Sequence, residues 1–131
     1  MRLPALIVGA CLSAAGCGTE IPLQPVNHSP VALSLSAFPT TIGPGDSAIV
    51  ICTATDADGD TIVFDWSSDC RLIKQGQYRD QFTLYNQRNT LVVYAGSCAK
   101  SPLDTGWVSC SAYDGRGGGD RAGTVRIFIQ Q

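Results

Sequence analysis

Residues 48–67 read AIVICTATDADGDTIVFDWS, and the placing of apolar residues in this stretch decides the fold. Ala48 to Thr55 is apolar and β-branched, with Val50, Cys52 and Ala54 at alternate positions. In an extended strand alternate side chains share a face, so these three point one way. Thr61 to Ser67 repeats the pattern, with Ile62, Phe64 and Trp66 on one face and Val63, Asp65 and Ser67 on the other. Between the two lies Asp56-Ala57-Asp58-Gly59-Asp60, built from residues that favour turns.

The same period of two recurs along the chain. Leu33, Leu35 and Ala37 alternate with Ser34 and Ser36 and predict a first strand with the three apolar residues on one side. Phe38 to Asp46 holds Pro39, Gly43, Pro44 and Gly45 and reads as a turn-rich connection. Arg71 to Gln81 is polar and irregular, with room for one short strand. Phe82 to Tyr85 and Thr90 to Tyr94 are further strands. Trp107 to Tyr113 places Val108, Cys110 and Ala112 inward, Gly115 to Gly119 is a hairpin turn, and Thr124 to Gln130 closes the chain with Val125, Ile127 and Ile129 inward. No segment has a helical apolar period of useful length. Many short strands between turn signals predict an antiparallel β-sandwich over residues 31–131, which is all that 131 residues allow beyond short extensions.

Residues 1–16, MRLPALIVGACLSAAG, have a positive Arg2, an apolar run from Leu3 to Leu12 and small residues at the end, the pattern of an export signal peptide. The small residues lead directly into Cys17. This resembles the lipobox of bacterial lipoproteins, which implies a lipid on the Cys17 thiol and cleavage just before it. Ala14 stands where that family usually has Leu. Gly18, rather than Asp, follows the cysteine and implies the outer membrane. The alternative is an ordinary secretory signal that leaves Cys17 a free thiol. Residues 18–30, GTEIPLQPVNHSP, hold three prolines and no period, and read as an extended, mobile tether reaching roughly 40 Å at ~3.3–3.6 Å per residue.

Export sets the reading of the cysteines. Of six, Cys11 leaves with the signal and Cys17 takes the lipid. Cys52, Cys70, Cys98 and Cys110 remain, an even set that reads as two disulfides with three pairings open. None forms a C-x-x-C pair, and His28, in the tether, is the only histidine, so the spacing does not suit zinc.

Cys52, Trp66 and Cys110 follow the Cys…Trp…Cys order of immunoglobulin domains. The stretch from Ala54 to Ser67, with its D-x-D-G-D…W order, resembles bacterial polycystic-kidney-disease-type (PKD-like) and related immunoglobulin-like domains. So do Val108 to Gly118, VSCSAYDGRGG, and the apolar closing strand. The resemblance covers about residues 31–130. Val108 stands where a tyrosine corner would place its Tyr, and Ser67 follows Trp66 in place of the W-D-F-G-D-G order of one subfamily. The resemblance implies an immunoglobulin-like sandwich in which Cys52 and Cys110 bridge the sheets and Cys70 pairs with Cys98. It also implies a surface protein that binds, adheres or spaces and does not catalyse.

The composition is compatible with that role. Lysine and arginine total 9, scattered without a basic run, and the net charge is −2, which argues against nucleic-acid partners. Ser/His/Asp chemistry has no histidine within the fold. Asp56, Asp58 and Asp60 crowd three carboxylates into five residues, a set that calcium could bind, with Asp114 or Asp120 completing it. The loop departs from the EF-hand order because Thr61 stands at the glycine position. The competing reading is a solvated turn in which the aspartates cap backbone amides and Gly59 takes a positive φ. No other cofactor is expected. Trp107 and Tyr113 fall outward by alternation and offer ring faces to an envelope glycan or a surface protein. Alternatively they pack against neighbouring strands and cover the core.

Overall fold

The structure, a computed structural model, describes residues 23–74, 83–96 and 98–131. Residues 1–16, read above as a signal peptide, and Cys17 lie outside the described residues. The described residues form nine strands and no helix: β1 (Val31–Phe38), β2 (Thr41–Ile42), β3 (Ser47–Thr55), β4 (Val63–Ser68), β5 (Leu72–Lys74), β6 (Thr83–Asn86), β7 (Thr90–Ala95), β8 (Leu103–Tyr113) and β9 (Gly119–Gln130). They make two sheets, a four-stranded one in the order β1-β3-β7-β5 and a five-stranded one in the order β2-β9-β8-β4-β6. Every pairing is antiparallel except that of β2 with β9.

The two sheets share one core. Ala48, Val50 and Cys52 of β3, Leu72 of β5 and Val93 of β7 are 0 % exposed. They are buried in one cluster with Trp66 of β4, Val108, Cys110 and Ala112 of β8, and Ile127 and Ile129 of β9. These are the inward positions that the period of two predicts for β3, β4, β8 and β9. Trp66 is fully buried, and its indole N–H donates to the Arg88 carbonyl at 3.0 Å, which satisfies its one polar group.

β1 departs from the expected alternation. The register with β3 shifts between Ala32 and Ser34, a bulge that puts one extra residue into the strand and reverses its phase. Leu33 is therefore turned out and 58 % exposed, while Leu35 and Ala37 pack on the core. The connection after β1 also contains β2, whose Ile42 is buried and pairs with Ile129. β8 and β9 both start earlier than expected, at Leu103 and Gly119, so their hairpin is the longest in the molecule.

Gly106 has a packing reason that periodicity does not reveal. A Cβ there would lie 2.5 Å from Cγ of Leu72, which belongs to the opposite sheet. The missing side chain is the space that Leu72 fills.

Candidate functional site

The outward positions of β8 carry both predicted ring residues. Trp107 and Tyr113 are each 37 % exposed on the outer face of the five-stranded sheet. Tyr113 lies six residue steps along the strand from Trp107, roughly 20 Å at ~3.3 Å per residue. Trp107 stands opposite Arg126 of β9, and Phe128, 44 % exposed, lies diagonally beside it. Tyr113 stands opposite Val63 of β4, and its ring faces that of Tyr85 on β6 with centroids 6.3 Å apart. The ring can lie there because its partner across β9 is Gly119, where a Cβ would meet the Tyr113 ring at 2.4 Å.

Between the two aromatic ends the face is hydroxyl-rich. Ser109 and Ser67 stand opposite each other and share a hydrogen bond of 2.6 Å, and Thr124 flanks Ser109 on β9. The next row runs Ser111, Asp65 and Tyr85. Asp65 Oδ1 is buried and has no hydrogen-bond partner among the described residues. Ser109 is itself only 8 % exposed, so the more open groups of this face, the aromatic rings among them, are those that can stack on rings and exchange hydrogen bonds with a polar ligand.

At one end of the molecule, Asp56 Oδ1 accepts the amides of Asp58 at 2.8 Å and Asp60 at 3.1 Å, and Gly59 has φ +74°. These contacts match the capped turn. One oxygen from each of Asp56, Asp58 and Asp60 also falls within 4.8 Å of the others, as the calcium expectation requires. Two of the three carboxylates already face basic side chains of the same chain. Asp58 pairs with His28 Nδ1 at 2.9 Å and Asp60 with Arg116 at 3.1 Å. A cation entering the loop would compete with both. Asp114 and Asp120, offered as further ligands, are engaged elsewhere. Asp114 accepts from Asn27 Nδ2 and from the amides of Arg116 and Gly118, and these donors hold its carboxyl below the usual carboxylate range. Asp120 accepts the Ala32 amide at 2.9 Å.

Asn27, His28 and Arg116 are thus partners that the sequence reading did not bring to this end. Nothing in local sequence marks them, since Asn27 lies 87 positions from Asp114 and His28 lies 30 from Asp58. His28 is exposed, as expected of a linker residue, with 61 % of its side chain accessible, and it carries a partner as well.

Cys52 and Cys110 come from opposite sheets, are both buried and interact side chain to side chain, although the cysteines are not at disulfide distance. Burial pushes both thiols above the ordinary range, so neither is a ready nucleophile. The Cys70 backbone abuts Gly96, two residues before Cys98, and the neighbouring Arg71 carbonyl accepts the Gly96 amide at 2.6 Å. Two surface clefts, one lined by Lys74, Leu84, Arg88 and Leu91 and the other by Pro44, Ala95 and Ile129, do not include the acidic loop.

No family model and no curated protein match this sequence.

Proposed function

We propose that this chain is an exported, non-catalytic binding module of immunoglobulin-like type. It is tethered to the cell envelope by a lipid on Cys17 and engages an extended glycan or a protein surface with the outer face of its five-stranded sheet. The observation that carries the binding reading is the pair of exposed ring residues, Trp107 and Tyr113, about 20 Å apart on one strand with a hydroxyl-rich surface between them. A pure spacer has no need of two aromatic platforms on one face. The immunoglobulin-like reading is supported by the pairing of β3 with β1 and β7 in one sheet and of β8 with β9 and β4 in the other. It is supported too by Trp66 standing in register with Cys110. In an oxidising compartment Cys52 and Cys110 would lose two protons and two electrons to a disulfide donor and bridge the sheets, and Cys70 would pair with Cys98.

The test is saturable binding of the exported protein to envelope polysaccharides and surface proteins, compared with Trp107→Ala and Tyr113→Ala. Loss in both variants with unchanged melting supports the reading; undiminished binding in both removes it. Intact mass of the membrane-extracted protein, before and after reduction, tests the lipid and the two disulfides separately.

The outer face of the four-stranded sheet favours a second role, as a subunit of a surface assembly. Phe38, Ile49 and Val92 form one row across three strands, with Ile51 beside it. The flanking outward positions are Ser34, Ser36, Thr53 and Thr90, so this part of the face carries no charge. Interfaces are depleted of charge at their centres. A concentration series in the ultracentrifuge, with Ile49→Lys as control, tests self-association through this face.

A further inference from the structure

One flank of the sandwich is lined by polar side chains at positions that elsewhere carry the core. β5 and β6 are edge strands of their sheets. On β5, Lys74 stands two positions after the fully buried Leu72 and so shares its inward face. On β6, Leu84 stands opposite Trp66 and Asn86 opposite Phe64, both core residues, so these two point inward as well. The cleft at this flank has a volume of about 260 Å³, and its lining includes Lys74, Leu84, Asn86, Arg88, Thr90 and Leu91. Arg88 is anchored at both backbone groups. Its carbonyl accepts the Trp66 indole N–H at 3.0 Å, and its amide donates to Asn86 Oδ1 at 2.7 Å. Among the described residues neither Lys74 nor Arg88 makes an ion pair, and no acidic side chain lines the cleft. A lysine pointing inward from an edge strand also deters pairing with another chain. That accounts for Lys74 but not for an anchored Arg88 at the same cleft.

We propose that this cleft binds a single acidic sugar ring, a hexuronate, with its carboxylate held by Lys74 and Arg88. A guanidinium fork matches a carboxylate with two parallel hydrogen bonds, and the ammonium adds a second positive charge. Asn86 uses Oδ1 on the Arg88 amide and keeps Nδ2 as a donor. Thr90 Oγ1 donates to Asn89 Oδ1 at 3.2 Å and keeps its lone pairs to accept from a ring hydroxyl. Leu84 and Leu91 supply the apolar lining that a small-molecule site sets beside a few polar groups, and here they would meet the C–H face of the ring. Drug-sized ligands fill roughly 300–1,000 Å³, so a cleft of about 260 Å³ suits one ring. Its residues come from the inward faces of the two edge strands and from the β6–β7 connection. Binding there needs neither Trp107 nor Tyr113, and it stands whether or not the outer face of the five-stranded sheet binds a glycan.

The test titrates the purified ¹⁵N-labelled protein with glucuronate, glucose and inorganic phosphate and follows the amide resonances. Glucuronate should shift the amides of residues 84–92 saturably, and added salt should weaken it. Glucose, which lacks the carboxylate, and phosphate, which lacks the ring, should each bind about tenfold more weakly or not at all. Lys74→Gln and Arg88→Gln should each weaken glucuronate about tenfold, and Trp107→Ala should leave it unchanged. An unmoved Trp66 indole resonance in each variant shows that the core has held. Four results would overturn the proposal: no saturable shift with glucuronate, phosphate binding as tightly as glucuronate, full affinity in both Lys74→Gln and Arg88→Gln, or loss of binding in Trp107→Ala.

Discussion

The two outer faces of the molecule are built on the same alternation and carry different chemistry. On the five-stranded sheet the outward positions are Trp107, Tyr113, Tyr85 and Phe128, set among Ser67, Ser109, Ser111, Asp65 and Arg126. On the four-stranded sheet they are Phe38, Ile49, Ile51, Val92 and Tyr94 among serines and threonines. Aromatic rings beside hydroxyls and charges suit a polar ligand that stacks and hydrogen-bonds. An uncharged apolar row suits the centre of a protein interface. Alternation says which residues leave the core; the kind of residue that leaves it distinguishes the faces.

The largest expected effect would erase both faces together. Trp66→Ala should destabilise the fold by about 3–5 kcal/mol, since it empties the largest buried side chain from a core shared by both sheets. A urea unfolding midpoint close to the wild type would show that the sheets do not depend on one another. Next comes Gly106→Ala, whose methyl group would collide with Leu72 across the sheets. It should cost about 1–3 kcal/mol in the same assay, whereas a substitution to Ala at exposed Gly45 has open space around it and costs only what its positive φ demands.

Two smaller effects should separate the faces. Trp107→Ala should weaken ligand binding by about 2 kcal/mol, roughly 30-fold, with the melting midpoint nearly unchanged. Ile49→Lys should leave that binding intact and abolish concentration-dependent self-association. In the reduced protein Cys52 and Cys110 should resist alkylation at pH 8 until the chain is unfolded, because burial raises both thiols and closes access to them. Rapid labelling of either in the native state would mean that the sheets part readily.

Much of the core was legible because β3, β4, β8 and β9 obey a strict period of two against a single buried layer. Val50, Cys52, Trp66, Val108, Cys110 and Ile127 all fall inward where alternation places them. Leu33 does not, because one inserted residue in β1 reverses the phase, and a bulge leaves no mark in a pattern of apolar and polar residues. β2 is not legible in the sequence, because two residues between turns carry no period. On the candidate site, the outward placing of Trp107 and Tyr113 could be read from the strand. The Tyr85 ring beside Tyr113 could not, since it arrives from a strand 28 positions away in sequence. The acidic loop was legible as a turn. Its partners His28 and Arg116 were not, since contacts made across the fold follow no local rule.

The proposed binding face is tested most directly by titrating the purified protein, its Trp107→Ala variant and its Ile49→Lys variant against the same panel of envelope polysaccharides and surface proteins. The prediction is saturable binding by wild type and Ile49→Lys alike, reduced roughly 30-fold in Trp107→Ala. Binding that survives Trp107→Ala and disappears in Ile49→Lys would assign the ligand to the opposite sheet and contradict the account.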